Sequence, residues 1–196
     1  MLLATLLAVA SAELSREFTL PKTIDLASAR NALVQGEMHR VLSYKSMKTS
    51  RESGRVHVNN YKHPLGGPTV ERCGVLKNNP NQFQMVVDAA SVEAPFGETF
   101  TTRVVVTLRR DADNCVVMGA TSSVQWNSAK RPPRILERQI KNAAEKGSVN
   151  AYGALARSLE AGGAPVSRNR FRLLRQAVVG VKVGAGALLL RPRAAE

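Results

Sequence analysis

The stretch RILERQIKNAAEKGSVNAYGALARSLEAGG, residues 134–163, decides the architecture. Leu136, Ile140, Ala143, Gly147, Ala151, Leu155 and Leu159 recur at steps of three or four, with Ile135, Tyr152 and Ala156 beside them. That period lays one apolar stripe along an α-helix. Pro132-Pro133 suits a helix start, and Gly162-Gly163 followed by Pro165 suits a stop. A helix over Arg134–Gly162 would run about 40 Å. Gly147-Ser148 and Gly153 weaken its middle, so a bend is expected there.

Upstream the period changes. Phe100–Arg110 and Cys115–Trp126 read as two strands, and Asp111-Ala-Asp-Asn114 between them has the side chains of a hairpin turn. Phe83, Met85 and Val87 alternate with Gln82, Gln84 and Val86 in a further strand towards Ser91. Arg55–Tyr61 and Thr69–Leu76 read as shorter strands, separated by the turn cluster His63–Pro68 and followed by a second turn at Lys77–Asn81. Glu37–Lys45 joins this strand-rich run, and the polar stretch Ser46–Gly54 reads as a mobile loop. Strands followed by one long helix make an α+β pattern, with the helix across one sheet face. The expected division is an N-terminal segment 1–36, a domain 37–162 and a tail 163–196.

The chain has 196 residues and a net charge of +13. Residues 1–133 hold 16 bases and 11 acids, whereas 163–196 hold seven bases and one acid. The excess is concentrated in the tail, where it suits an anionic membrane surface or a nucleic acid. Arg168, Arg170, Arg172 and Arg175 form the basic part of that tail. The apolar run Ala177–Leu190 after them spans about 21 Å as a helix, short of a bilayer core, so surface contact is expected and a full span is not. Met1–Ala12 admits two readings: a secretory signal, or the first buried helix of a truncated domain. Cys73 and Cys115 belong to no metal or disulfide pattern and read as buried free thiols.

The stretch Val92-Glu-Ala-Pro-Phe-Gly-Glu-Thr-Phe100 combines an aliphatic residue, Pro, an aromatic, Gly, an acid and a second aromatic. It resembles the VASt domain, the StAR-related lipid-transfer-like domain of the Aster and Lam sterol-transport proteins. Cys115–Trp126, Lys130 and Ile135–Glu145 resemble that family's last strand and closing helix, with Tyr152 and Leu159 at its later aromatic and leucine. Arg40-Val-Leu-Ser-Tyr44 resembles its early strand. The resemblance spans Glu37–Ala161, and little sequence precedes Arg40, so a truncated or divergent member is expected. It implies a helix-grip (START-like) fold, a bent antiparallel sheet wrapped around the C-terminal helix. It also implies a sterol-sized cavity, no cofactor, and work at the cytoplasmic face of membranes, such as endoplasmic reticulum contact sites.

Lipid binding needs an apolar cavity with a few orienting polar groups. Met85, Val87, Val104, Val106 and Ile140 are candidates to line it, and the small residues Ala143, Ala144 and Gly147 to leave it room. The same residues would serve a solid core equally well. Lys48 and Arg51 in the polar stretch, with nearby Arg55, are candidates for a mobile gate that meets anionic headgroups. Catalysis is not expected: there is no nucleophile elbow, zinc-protease helix, P-loop or dinucleotide fingerprint. His39, His57 and His63 lack metal-ligand spacing and read as surface or strand histidines, so no metal is expected. Two other classes stay open. A protein-interaction scaffold would keep the fold and fill the cavity. A nucleic-acid binder would use Arg168–Arg175 as an arm, and it is disfavoured by the lack of any such motif.

Overall fold

Thr102, Val104, Val106 and Leu108 are buried, and Arg103, Val105 and Thr107 between them are half-buried, so this strand has an inner and an outer face. In the computed structural model, which describes residues 13–63, 67–91, 93–94, 96–127, 129 and 131–162, that strand lies within one antiparallel sheet. The elements in chain order are β1 (Leu14–Thr19), α1 (Leu26–Val34), α2 (Glu37–Val41), β2 (Lys45–Arg51) and β3 (Val56–His63). They continue with β4 (Gly67–Asn78), β5 (Gln82–Ser91), β6 (Phe100–Arg110), β7 (Val116–Trp126) and α3 (Arg134–Glu160). A single 3₁₀ turn, Gly97–Thr99, leads into β6. The strand order is β1-β7-β6-β5-β4-β3-β2, so β2 to β7 form a meander and β1 closes beside the last strand. The sheet curves around the long C-terminal helix, which is the helix-grip arrangement of the α+β class.

Local chemistry accounts for the most regular parts. Asp111 Oδ1 accepts from the backbone N–H of Asp113 (3.0 Å) and of Cys115 (2.8 Å), and Asn114 takes a left-handed φ of 61°. This closes the β6–β7 hairpin, whose register runs from Arg110↔Val116 to Phe100↔Trp126. Asp25 caps α1 by accepting from Ser28 N at 2.6 Å. Pro133 precedes α3, and Gly162 follows it with φ +70°. The helix runs uninterrupted through Gly147-Ser148 and Gly153. It lies over β7, β1 and β6 and against α2. Gly153 permits the closest approach: a Cβ there would sit 3.0 and 3.2 Å from ring atoms of Phe18 on β1. Cys73 and Cys115 are buried free thiols.

Three expectations change. Glu37–Lys45 is not a strand: Glu37–Val41 is helical, because Met38, Val41 and Leu42 bury themselves at helical spacing and Glu37 pairs with Arg40 one turn on. Gly36, with φ +71°, separates this helix from α1. Ser46–Gly54 is not a loop throughout, since β2 pairs with β3 up to Arg51↔His57. An edge strand exposed on both faces carries no apolar alternation, so its sequence resembles a loop. Residues 14–36 are not an appendage: β1 and α1 place Phe18, Leu20, Leu26, Ala29 and Leu33 in or against the common core.

Candidate functional site

The concave face is apolar across its middle. β5 contributes Phe83, Met85 and Val87, β6 contributes Val104, Val106 and Leu108, and β7 contributes Val116, Met118 and Ala120, all buried in one cluster. Cross-strand register stacks them in rows, Val87↔Val104 and Met85↔Val106↔Ala120 among them. From the helix side Tyr152, Ala154, Leu155 and Ala156 meet this wall. Burying each large apolar side chain contributes about 1.5–3 kcal/mol, so this wall is the main source of stability.

Towards β3 and β4 the same face turns polar. Glu71 on β4 is buried, and its carboxylate lies 3.1 and 3.2 Å from His39 Nε2 on α2. Asn59 Nδ2 donates to it at 3.0 Å, Tyr61 O–H at 3.2 Å and Cys73 S–H at 3.3 Å. Burial opposes its ionisation, but the bonds from His39, Asn59 and Cys73 outweigh that cost and hold the carboxyl below its ordinary value. Glu71 therefore stays a carboxylate inside the protein. Burial, and after it the charge of Glu71, pushes the Tyr61 and Cys73 groups far up, so neither ionises at neutral pH. Tyr44 stacks on Tyr61 with ring centroids 4.8 Å apart, His39 meets Tyr61 edge-on at 4.8 Å, and His63 meets Tyr44 at 5.0 Å. His39 Nδ1 is buried without a hydrogen-bond partner.

Other polar groups are buried on β7 and α3. Ser122 Oγ on β7 is wholly buried and unpartnered. Glu145 is buried, with its carboxyl raised by burial against the opposing pull of Lys141, 3.7 Å away. The Thr69 and Ser91 hydroxyls, paired across β4 and β5, bond at 2.7 Å. Two open recesses lie at the surface among the described residues. One, of about 360 Å³, is lined by Asp25, Arg30, Asn78 and Arg110 among others, and one of about 340 Å³ includes Phe100 and Trp126.

The structure brings together Met85, Val87, Val104 and Val106 on the concave wall, with Ile140 buried on α3. Ala143 and Ala144 are only half-buried, and Gly147 is exposed with no atom within 4 Å of an added Cβ. Gly147 therefore faces away from the interior and lines no cavity, because the buried face of α3 runs through Val149 and Tyr152 instead. Lys48, Arg51 and Arg55 are exposed, and Lys48 and Arg51 sit in β2, a strand hydrogen-bonded to β3 and not a loop. Arg168, Arg170, Arg172 and Arg175 lie outside the described residues, as does Met1–Ala12. In the Val92–Phe100 motif Gly97 has a clear reason: a Cβ there would fall 1.7 Å from the Ser91 carbonyl oxygen.

His39 lies on a helix, buried against the Glu71 carboxylate, which corrects its reading as a surface or strand histidine. The Glu71 cluster as a whole was missed. One signal for it exists, since Glu71 shares strand parity with Thr69 and Cys73 and so has to point inward with them. Among the described residues no group of three or more His, Cys, Asp or Glu is placed to hold a metal, and no helix is long and apolar enough to cross a membrane.

No protein-family model matches the chain, and no curated protein matches it. Several solved structures are similar. A START superfamily protein from Mycobacterium smegmatis is 10% identical with a TM-score of 0.47, covering 76% of this chain and 94% of that one. Major latex-like protein 151 from Panax ginseng is 13% identical with a TM-score of 0.46, covering 79% of this chain and 98% of that one. An uncharacterized protein from Rhizobium leguminosarum is 12% identical with a TM-score of 0.49, over 76% and 94% of the two chains. At these identities and TM-scores no residue role passes from these chains to this one.

Proposed function

We propose that the chain binds a small, largely apolar ligand, a sterol or another lipid, between the concave sheet face and α3, without catalysing a reaction on it. The observation that carries this reading is the composition of the concave face. An apolar wall from Phe83, Met85, Val87, Val104, Val106 and Leu108 ends on Asn59, Tyr61 and Glu71. Apolar area beside a few fixed polar groups is what holds and orients an amphipathic molecule. The element over the polar end is α2, a five-residue helix between left-handed Gly36 and Ser43, and so the least extensive roof in the fold. The VASt-like motifs and the charge of +13 support the finer reading, in which a sterol is collected from an anionic membrane on its cytoplasmic side.

The test is extraction of a fluorescent sterol from liposomes by the folded full chain, with fatty-acid and phospholipid probes in parallel. Saturable binding of at least one probe is expected, and its loss on Val106→Trp, with circular dichroism unchanged, would place it inside the grip. Absence of binding for every probe sinks the proposal. One observation favours a second reading, a non-catalytic interaction scaffold: Phe83, Val106, Leu108, Met118 and Leu155 are almost wholly buried in one continuous cluster. On that reading every lipid probe fails while the chain remains folded.

A further inference from the structure

We propose that the free edge of β2 accepts an acidic, extended segment of a partner protein as an additional strand of the sheet. Among the described residues β2 has one neighbour, β3, so its other edge presents backbone N–H and C=O groups to water. Six of its seven residues are exposed, so an incoming chain meets no covering side chains.

The charges on this edge select the partner. Lys45 stands directly opposite Lys62, and Lys48 follows opposite Asn60 on the same outer face. Like charges facing each other across a ladder are destabilising. Lys45, Lys48 and Lys62 have no ion pair among the described residues, and the nearby Glu52 is already held by Arg72 at 2.6 Å. Arg51 ends the strand opposite His57, on the other face, and the exposed Arg55 follows in the turn, so the outer-face charge is that of the three lysines. A strand laid against β2 points every second side chain at this outer face, so carboxylates at alternate positions would offset the lysine repulsion.

The edge also discriminates. A bulge between Lys45 and Lys48, with Ser46 at φ +56°, limits regular pairing to Lys48–Arg51. Bulges and lysines are the devices by which edges repel unwanted strands, and a second copy of this chain, at +13, would be repelled too. An acidic strand meets the opposite condition. A peptide is favoured over a bilayer because the edge presents donors and acceptors in strand register, which another main chain matches and a headgroup layer does not.

The experiment uses the full chain and a ten-residue peptide alternating Glu with Val and Thr. Three controls accompany it: the same peptide N-methylated at alternate residues, a Lys-for-Glu version, and phosphatidylserine vesicles. The acidic peptide is expected to bind and to protect the Lys48–Arg51 amides from hydrogen exchange. N-methylation and the Lys-for-Glu change are expected to abolish both effects. K48E/K62E, which alters exposed side chains only, is expected to weaken binding about tenfold or more. Equal binding of the N-methylated peptide, absence of β2 protection, or protection by vesicles but not by peptide would each overturn the proposal. None of these readouts depends on lipid occupancy of the concave face.

Discussion

His39 Nε2 on α2 lies 3.1 Å from a carboxylate oxygen of Glu71 on β4 with both side chains 4% exposed, and this contact ties a five-residue helix to the middle of the sheet. Removing His39 takes a partner from the buried Glu71 carboxylate, and removing Glu71 leaves His39 Nε2 buried without its partner. His39→Ala and Glu71→Ala are each expected to cost about 3–5 kcal/mol in urea unfolding, whereas the double change to Leu at both sites recovers most of that loss. A double variant as unstable as the single ones would show that the pair is not the source of the cost.

The pH dependence follows from three shifts in one direction. Burial holds His57 and His63 below their ordinary value of 6.5, so the unfolded chain takes up protons that the folded chain refuses. Their contribution is present above pH 6.5 and is lost as pH falls through and below it. Glu71, held below its ordinary 4.5, adds a loss at lower pH as its folded value is passed. The urea midpoint should therefore fall from pH 8 to pH 5.5, and His57→Gln should flatten that limb. A midpoint that rises over this interval would contradict the assignment.

Glu145 has the opposite sign. Burial raises its carboxyl above the ordinary value, so its contribution is present at low pH and lost as pH rises through the raised value. At neutral pH the ionised form is a cost. Glu145→Gln should raise the thermal midpoint at pH 7, by about 1 kcal/mol or less in stability, and have little effect at pH 4. Differential scanning calorimetry at the two pH values measures the difference.

Three glycines separate what the helix and the sheet need. Gly147→Ala meets open space in a helix interior and should stabilise by about 1 kcal/mol, with ligand affinity unchanged because the position is exposed. Gly153→Ala gains the same propensity but presses on the Phe18 ring, so its net effect should be smaller. Gly97→Ala drives a Cβ into the Ser91 carbonyl and should cost about 2 kcal/mol or more. Chemical denaturation of the three variants orders them, and stabilisation by Gly97→Ala would refute the geometry.

How much was legible follows from where each interaction lies along the chain. The turn Asp111–Asn114 forms its hydrogen bonds within four residues, so the β6–β7 hairpin was readable with its boundaries. Pro133 and Gly162 mark the ends of the closing helix locally, and α3 runs Arg134–Glu160 within the expected Arg134–Gly162. The wall residues Met85, Val87, Val104 and Val106 were readable because strand alternation alone points them inward. The rotation of α3 was not: the expected stripe ran through Gly147, and the buried face passes through Val149 instead, which is decided only where β1 and β7 meet the helix.

Sequence alone thus determined the α+β order, the hairpin and the closing helix, because each depends on residues a few positions apart. Tertiary structure decided that Glu37–Val41 is a helix, that Lys45–Arg51 is an edge strand, and that Glu71 is buried. Those outcomes depend on partners 32 residues away for His39 and Glu71, and on β2 lying last in the sheet. A buried carboxylate is tolerated only where distant donors converge on it, and no local pattern encodes that convergence.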